Sequence, residues 1–229
     1  MKEAVILAGG FGTRLRSVVG DLPKPMAPIQ GQPFLSILLR QLTAAGIERV
    51  ILSLGYRAHV IRDYFGPIFE GLPISYVIED VPLGTGGAVK RCLKSATSET
   101  LLILNGDTYL EFDMDALTGE WGKHREPIIV ARKVDDVGRF GSLDVRHDKV
   151  IGFCEKGLSG PGLINAGAYV FPRALTDDFP SQDSFALEAD YLMLAVKRRN
   201  FRCAVTNGKF IDIGIPEDYR RAQVELGGE

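Results

Sequence analysis

Hydrophobic and polar positions follow two different periods along the first half of the chain. Short apolar runs that end in glycine or polar residues predict buried parallel strands, and apolar residues three or four positions apart predict helices. The predicted strands are Lys2–Ala8, Arg49–Leu54, Ile74–Ile78 and Thr100–Leu104. The predicted helices are Pro33–Ala45, Ala58–Phe65 and Gly87–Ser95. This alternation predicts an open, mostly parallel sheet with helices on both faces.

The pattern changes after Pro127, where apolar runs follow one another without helical segments between them. Such runs predict antiparallel hairpins, with His147-Asp148-Lys149 as one tight turn. The predicted elements in this half are strands Pro127–Lys133, Gly141–Arg146, Val150–Cys154 and Ile164–Phe171, helix Ser184–Arg199, strands Arg202–Thr206 and Phe210–Asp212, and helix Ile215–Leu226. The whole pattern predicts an α/β fold, a Rossmann-like, doubly wound mixed sheet with a small antiparallel part. No linker divides the sequence, so we expect one domain over residues 1–229.

Composition narrows the classes of partner. The 229 residues carry a formal net charge of −2, which gives no electrostatic reason to expect a nucleic-acid partner. No apolar run approaches the roughly 18 residues of a membrane span, and the first residues lack the pattern of a signal peptide. The cysteines, Cys92, Cys154 and Cys203, are odd in number and far apart, which is typical of reduced thiols. We therefore expect a cytoplasmic protein without a membrane partner.

The candidate chemistry lies in loops that follow the predicted strands. Ligands of open α/β sheets bind at the carboxyl ends of the strands, where the glycine-rich turn after Leu7, the Gly84–Gly87 loop and Asp107 are expected to meet. Glycine turns expose N–H groups to anions. The sequence has no G-x-x-x-x-G-K-[ST], and Leu15 stands where a dinucleotide fingerprint needs its third glycine, so both of these nucleotide motifs are excluded. Glycines alone favour an ordinary strand-to-helix turn over a ligand site.

Two cations beside the glycine turn favour a polyphosphate ligand. Arg14 offers a planar, permanently charged donor that suits phosphate oxygens. Lys24 lies between Pro23 and Pro25, whose rings stiffen the backbone around it. A rigidly held lysine beside exposed N–H groups is suited to a nucleoside triphosphate.

These motifs, taken in order, resemble those of the sugar-1-phosphate nucleotidyltransferase family. LAGGFGTRL at residues 7–15 and PKPM at 23–26 carry the resemblance, and NGD (105–107), EK (155–156), NAG (165–167) and FIDIG (210–214) follow in family order. The resemblance implies the nucleotide-diphospho-sugar transferase fold, with residues 1–125 mainly binding nucleotide and residues 126–229 mainly binding sugar phosphate. It also implies a Mg²⁺-assisted reaction of a nucleoside triphosphate with a sugar 1-phosphate, which yields a nucleotide sugar and pyrophosphate.

The resemblance assigns a role to each matching residue. The implied nucleotide-binding residues are Leu7, Ala8, Gly9, Gly10, Gly12, Thr13, Arg14, Lys24, Glu79, Gly84, Thr85 and Asp107. The implied substrate-binding residues are Gly141, Glu155, Lys156, Asn165 and Gly167. Arg14, Lys24 and Asp107 are the implied catalytic residues, and Asp107 and Asp212 the implied metal ligands. The attacking sugar phosphate is already ionised, so catalysis needs placement and charge neutralisation and no general base.

Taken singly, these residues have ordinary interpretations as well. A lone aspartate after a strand is equally typical of a helix cap, and Glu155-Lys156 is typical of a weak surface pair. Their order in the family motifs favours the functional interpretation.

Two stretches bear on substrate choice. Pro82–Ala88 resembles the base-binding loop of guanylyltransferases, and Arg14–Pro28 is most similar to the D-glycero-α-D-manno-heptose 1-phosphate guanylyltransferases, which make a GDP-heptose for bacterial cell-surface glycans. GTP and this heptose phosphate are therefore the expected substrates. A mannose-1-phosphate guanylyltransferase, a uridylyltransferase and, in another class, a non-catalytic nucleotide-sugar-binding regulatory subunit stay open as alternatives. A homodimer is also left open.

Overall fold

The structure, a computed structural model, describes residues 1–12, 15–154 and 159–227, with only the backbone of Arg16 and Ser17. The strands in chain order are β1 (Glu3–Leu7), β2 (Pro28–Ile29), β3 (Gln32–Pro33), β4 (Arg49–Leu54), β5 (Ile68–Phe69), β6 (Leu72–Ile78), β7 (Thr100–Asn105), β8 (Thr108–Leu110), β9 (Ile128–Val134), β10 (Ser142–Arg146), β11 (Lys149–Cys154), β12 (Gly162–Pro172), β13 (Arg202–Thr206) and β14 (Phe210–Asp212).

The helices lie between and around these strands. The α-helices are α1 (Arg16–Val19), α2 (Phe34–Ala44), α3 (Ala58–Phe65), α4 (Gly84–Ser95), α5 (Met114–His124), α6 (Met193–Ala195) and α7 (Pro216–Glu225). Lys24–Met26 and Arg173–Asp178 form 3₁₀ turns, and Leu187–Leu192 forms a π-helix. Within the described residues, no helix combines the length and the apolar character that a membrane span needs.

Among the described residues, ten strands form one mixed sheet in the order β10-β11-β13-β9-β12-β7-β1-β4-β6-β5. Strands β7, β1, β4 and β6 run parallel, as the alternation of apolar runs predicts. Strand β12 pairs antiparallel with β7, so the strands of the second half extend the same sheet. The α/β class with a mixed sheet is confirmed.

The core consists of two clusters, one on each face of the sheet, because successive side chains of a strand point to opposite faces. In β1, Ala4 and Ile6 join one cluster and Val5 joins the other. The first cluster packs against α2, α3, α5 and α7, and the second against α4 and the π-helix. Both clusters contain residues of β9 and β12 as well, so the two halves of the chain share their core.

Several predicted elements differ from the structure. The predicted hairpin of β10 and β11 forms, and His147 and Asp148 in its turn have positive φ. Strand β9 does not form a hairpin with β10, because it pairs antiparallel with the distant β12 and parallel with β13. The predicted helix over residues 184–199 is limited to a π-helix and α6, which together span residues 187–195. Helix α5 was not predicted, because its apolar face is sparse, although Asp113 caps it by accepting a bond from the Ala116 N–H.

Candidate active site

A cavity of about 540 Å³ opens at the carboxyl ends of β1, β4 and β7. All the predicted nucleotide-binding residues that the structure describes line it, namely Leu7, Ala8, Gly9, Gly10, Gly12, Lys24, Glu79, Gly84, Thr85 and Asp107. Thr13 and Arg14 lie outside the described residues. Segments that are far apart in sequence therefore converge where an open α/β sheet binds its ligands.

Lys24 links the two predicted metal-binding carboxylates in this cavity. Its Nζ lies 2.6 Å from Asp107 Oδ2 and 3.7 Å from Asp212 Oδ1, and its side chain is only 13% exposed. The lysine is held by its backbone, because Lys24 begins a 3₁₀ turn in which Ala27 N–H donates to the Lys24 carbonyl. Gly12, with φ at +60°, lies so close that a Cβ there would be 2.9 Å from Lys24 Cβ. The glycine turn and the proline-flanked lysine thus form one wall.

The two aspartates meet because of a small two-stranded sheet. Strands β8 and β14 pair antiparallel, with Asp212 opposite Thr108, and Ile213 N–H donates to the Asp107 carbonyl. Beyond this pair, Gly214 N–H donates to Asp212 Oδ1 at 2.7 Å, which fixes that carboxylate. A side chain at Gly214 would reach within 2.8 Å of Lys24 Nζ, so the glycine keeps this space open.

Among the described residues of this cluster the charges do not balance, since one lysine faces two carboxylates. Burial raises the pKa of Asp212 above its ordinary value, and the negative charge of Asp107 raises it further. Lys24 and the Gly214 N–H act in the opposite direction without cancelling the shift. A buried carboxylate whose ionised form is disfavoured in this way is suited to binding an additional cation.

The two carboxylates are compatible with Mg²⁺. Among the described residues, no group of three or more histidine, cysteine, aspartate or glutamate side chains is arranged to hold a metal by protein ligands alone. Mg²⁺ commonly binds through one or two carboxylates and completes its shell with water and phosphate oxygens. Asp107 and Asp212 therefore match the donor set of a metal that arrives with a phosphate substrate.

The NGD and NAG motifs pack against each other beside the cavity. Strand β12 has a bulge between Asn165 and Ala168, and Gly167 in that bulge has φ at +69°. A Cβ on Gly167 would collide with the side chain of Asn105, which lines the cavity. Gly167 therefore serves the backbone conformation and the close approach of the two motifs at once.

The glycines of the Gly84–Gly87 loop have two separate tasks. Gly84 and Thr85 line the cavity at the start of α4, three residues earlier than predicted. Gly86 and Gly87 pack instead against residues 183–185, where a Cβ would collide with the Phe185 ring or the Asp183 carbonyl. Both of their N–H groups donate to the Phe185 carbonyl, so they are occupied within the protein.

Glu79 lies at the side of the cavity nearest this loop. Its Oε1 accepts a bond from Ser53 Oγ, and its Oε2 accepts one from Leu83 N–H, both at 3.0 Å. An ionised carboxylate has about four acceptor positions, so each oxygen retains the capacity for a further donor. Glu79 therefore combines a fixed orientation with free acceptor capacity.

The predicted sugar-phosphate residues lie beside the cavity and do not line it among the residues described. Asn165 Nδ2 donates to Tyr169 Oη at 2.7 Å, and Gly167 is in contact with Asn105. Gly141 follows Phe140, whose ring packs edge-on against Phe210, next to the β14 strand of Asp212. Glu155 and Lys156 lie outside the described residues.

Several cavity residues escaped the sequence-based prediction. Phe11, Ser53, Asn105 and Gly214 line the cavity. Asn105 and Gly214 are members of the NGD and FIDIG motifs and could have been found there. Phe11 is 57% exposed and lies 5.6 Å from the ring of Tyr56, a contact that no local pattern reveals.

Comparisons with known proteins agree with the family resemblance of the sequence motifs. A family model described as nucleotidyl transferase matches residues 3–228. The chain is 42% identical to the D-glycero-alpha-D-manno-heptose 1-phosphate guanylyltransferase of Aneurinibacillus thermoaerophilus, over 98% of both chains. It is 36% identical to the mannose-1-phosphate guanylyltransferase of Mycobacterium tuberculosis, over 98% of this chain and 64% of that one. The crystal structure of HddC from Yersinia pseudotuberculosis complexed with GMP-PN is 42% identical, with a TM-score of 0.87, and covers 99% of this chain and 100% of that one.

Proposed function

Since the chain belongs to the nucleotidyl transferase family, we propose that it joins GTP to D-glycero-α-D-manno-heptose 1-phosphate and releases pyrophosphate. The observation that carries the proposal is the placement of Lys24 between Asp107 and Asp212 in the cavity that the glycine turn lines. The 42% identity to a heptose 1-phosphate guanylyltransferase over nearly the full length of both proteins supports the choice of substrates.

The reaction forms one bond and breaks one bond at the α-phosphorus of GTP. A phosphate oxygen of the heptose 1-phosphate attacks this phosphorus, and the bond to the bridging oxygen of the β-phosphate breaks, so that pyrophosphate leaves with the electron pair. Negative charge is concentrated on the phosphates throughout. The residues therefore need to hold two anions together and to stabilise the developing charge.

The described residues divide this work between them. Lys24 contacts the α-phosphate and the incoming phosphate, and its low exposure strengthens the interaction because little water screens it. The N–H groups of Gly9, Gly10 and Gly12 face the triphosphate. Asp107 and Asp212 would hold Mg²⁺, which when bound neutralises phosphate charge. Arg14 and Lys156 keep the roles that the family resemblance implies, on the leaving pyrophosphate and the sugar phosphate.

Glu79 accounts for the choice of guanine. Guanine presents two adjacent donors, the N1–H and the exocyclic amino group, and a carboxylate can accept both. Ser53 and Leu83 hold the Glu79 carboxylate in place at the cavity. Uracil and thymine present one ring N–H without the neighbouring amino group, so Glu79 favours GTP over UTP and dTTP.

A matrix of nucleoside triphosphates against sugar 1-phosphates, with pyrophosphate release as the readout, tests this function. We expect the highest kcat/KM for GTP with the heptose phosphate. Mannose 1-phosphate is the second candidate, because the chain is also 36% identical to a mannose-1-phosphate guanylyltransferase. A higher kcat/KM for that pair would replace the heptose assignment. No turnover with any pair, together with nucleotide-sugar binding, would favour the regulatory-subunit alternative.

The proposal also covers the compartment of the reaction and the use of its product. We place it in the cytoplasm, where GTP is available, with the GDP-heptose passing to enzymes that build a cell-surface glycan such as lipopolysaccharide, capsule or S-layer glycan. A homodimer stays a prediction that sedimentation analysis would test.

A further inference from the structure

A chain of hydrogen bonds begins at the nucleotide side of the cavity. The hydroxyl of Thr85 donates to Glu188 Oε2 at 3.3 Å and accepts a bond from Leu187 N–H at 2.8 Å. Thr85 lines the cavity, whereas Glu188 lies in the first turn of the π-helix. The hydroxyl is thus oriented from behind by a segment about 100 residues away in sequence.

The same carboxylate is linked through Tyr169 to Asn165, which the family resemblance assigns to the sugar phosphate. The Tyr169 hydroxyl donates to Glu188 Oε1 at 2.9 Å and accepts a bond from Asn165 Nδ2 at 2.7 Å. Asn165 Oδ1 in turn accepts from Gly167 N–H at 3.1 Å. Glu188 therefore holds one hydroxyl from each side, and the order of the chain is Thr85, Glu188, Tyr169, Asn165.

The tyrosine in the middle of this chain is fully buried, and Glu188 is partly buried. Tyr169 is 0% exposed, and burial raises the pKa of its hydroxyl well above the ordinary value, with the negative charge of Glu188 acting in the same direction. The hydroxyl therefore stays protonated and remains a donor. Hydrogen bonds that are shielded from water are stronger and better defined than exposed ones.

Backbone contacts fix the segment that carries Glu188 onto the nucleotide loop. Phe185 N–H donates to the Leu83 carbonyl, and the Phe185 carbonyl accepts from Gly86 and Gly87 N–H. The collisions that side chains at Gly84 and Gly86 would cause show how closely the two segments pack. A movement of residues 183–188 is therefore transmitted directly to Thr85.

We propose that Tyr169 and Glu188 are positioning residues that hold the nucleotide-contacting Thr85 and the sugar-contacting Asn165 in one fixed relative arrangement. This inference rests on the proposed function, because it assigns the two ends of the hydrogen-bond chain to the two substrates. The in-line attack requires the sugar phosphate and the α-phosphorus to meet at a defined distance and angle. A connection through the protein interior sets the two substrate pockets relative to each other before either substrate binds.

Tyr169→Phe breaks the connection in the middle and leaves the ring in place. Asn165 then loses the acceptor of its Nδ2 group and keeps the bond from Gly167 N–H, while Thr85 keeps Glu188. The two substrates are therefore affected unequally. We expect the KM for the sugar phosphate to rise about tenfold, as for loss of a hydrogen bond to a partner, and the KM for GTP to rise by about threefold.

Tyr191→Phe is the matched control. Tyr191 lies in the same core cluster, is 1% exposed, and donates its hydroxyl to Asp178 Oδ2 at 3.0 Å, a carboxylate that does not line the cavity. Tyr169→Phe loses two hydrogen bonds and Tyr191→Phe loses one, so both should lower Tm, Tyr169→Phe by more. For Tyr191→Phe we expect both KM values to stay within about twofold of wild type.

Glu188 variants test the same connection from its centre without disturbing the buried ring. Glu188→Ala removes the acceptor of Thr85 as well as that of Tyr169, so the KM for GTP should now rise the most, by about tenfold. Glu188→Gln keeps one acceptor oxygen for the Tyr169 hydroxyl. It should therefore recover most of the sugar-phosphate KM relative to Glu188→Ala.

Steady-state kinetics of these four variants and wild type, with GTP and the sugar 1-phosphate that wild type uses best, decide the matter. The positioning role is supported if the KM for the sugar phosphate rises more than the KM for GTP in Tyr169→Phe, and the KM for GTP rises more in Glu188→Ala. KM values in Tyr169→Phe no higher than in Tyr191→Phe, with wild type active, would overturn it and leave the proposed function intact. A wild-type protein that makes no nucleotide sugar from any pair would instead overturn the proposed function.

Discussion

Two clusters of charged side chains lie at opposite ends of the same three strands, and they are built in opposite ways. Glu3 and Arg49 lie at the amino ends of β1 and β4, next to the residues that precede β7. Lys24, Asp107 and Asp212 lie near the carboxyl ends of β1 and β7. In the part of the chain that the structure describes, the carboxylate of the first cluster is surrounded by donors, whereas the second cluster has two carboxylates for one lysine.

The amino-end cluster surrounds one carboxylate with donors. Glu3 is 3% exposed and accepts bonds from Arg49 Nη1 at 2.5 Å, Thr97 N–H at 2.9 Å, Thr97 Oγ1 at 3.0 Å and Ser98 N–H at 2.5 Å. Burial by itself raises the pKa of Glu3, but the bonds from Ser98 and Thr97 outweigh it and hold the pKa below its ordinary value. The ionised form is therefore favoured by folding.

The carboxyl-end cluster shows the reverse. Burial and the nearby charge of Asp107 raise the pKa of Asp212, so the ionised form is disfavoured by folding. A group that lowers the stability of the free protein at neutral pH is suited to a ligand that restores the charge balance. The comparison teaches that charge can serve stability at one end of a sheet and ligand binding at the other.

The largest expected effect is that of Asp107→Asn on turnover. The variant removes a predicted metal-binding carboxylate from the cavity, and we expect kcat to fall about a thousandfold. Lys24 retains Asp212 as a partner, so the free energy of unfolding should change by less than about 0.5 kcal/mol. Pyrophosphate release and urea unfolding measure the two quantities. Asp63→Asn is the control, at an exposed site where, among the residues the structure describes, the carboxylate pairs with its neighbour Arg62. A near-normal kcat for Asp107→Asn would remove Asp107 from the mechanism.

The next effect is that of Lys24→Met, for which Lys90→Met is a matched control. Both lysine side chains are 13% exposed, but Lys90 Nζ donates to the carbonyls of Pro180, Ser181 and Gln182 at the back of α4. Loss of the phosphate-binding cation should lower kcat/KM about a hundredfold. Lys90→Met should lower Tm and leave kcat/KM within about twofold. Equal losses of kcat/KM in the two variants would mean that Lys24 acts only through packing.

Glu3→Gln should affect stability alone. The change weakens the interactions with Arg49 and leaves a buried donor without a partner, which costs about 2 kcal/mol at pH 7. A carboxyl group with a lowered folded pKa stabilises the protein above its ordinary pKa near 4.5, and this contribution is lost as the pH falls through the folded value. Urea unfolding should therefore show a constant difference from wild type between pH 7 and about pH 5 and a shrinking one below. A loss of kcat in the folded variant would mean that the two ends are not independent.

The smallest expected effect on stability is that of Asp212→Asn in the carboxyl-end cluster. Asp212→Asn keeps an oxygen acceptor for Gly214 N–H and removes a charge that folding disfavours. The Asp212 side chain is 36% exposed, so water screens its charge and the effect is small. Without divalent metal, we expect the free energy of unfolding at pH 7 to rise by less than about 0.5 kcal/mol, a gain that is lost as acid protonates Asp212 in the wild type. Mg²⁺ with GTP should raise the Tm of wild type and not of the variant. A less stable metal-free variant would contradict this account of the cluster.

The part of the cavity around the glycine turn was predictable from sequence because its residues lie in contiguous motifs. The turn at Gly9–Gly12 and the proline-flanked Lys24 can be recognised from their immediate neighbours in the sequence. The alternating apolar runs predict that both lie at one edge of the sheet. The pairing of β8 with β14, which brings Asp107 to Asp212, joins residues about 100 positions apart and has no local signal. It could be expected only from the order of family motifs.

Other features could not be predicted from the sequence, because they too depend on contacts between residues that are far apart in the chain. The sequence around Gly86 and Gly87 is typical of a binding loop. In the structure these glycines allow close packing against residues 183–185, which are far away in the chain. The helical pattern over residues 184–199 does not distinguish an α-helix from the shorter π-helix that tertiary contacts impose there. The Thr85–Glu188–Tyr169–Asn165 chain depends on hydrogen bonds between three separate segments, namely α4, the π-helix and β12.

A crystal structure with Mg²⁺ and a non-hydrolysable GTP analogue tests the central claim most directly. We predict that the triphosphate lies against Gly9–Gly12 and Lys24, that the metal is bound by Asp107 and Asp212, and that guanine is in contact with Glu79. A nucleotide bound elsewhere, or one whose phosphates lie out of reach of Lys24 and Asp107, would contradict the account.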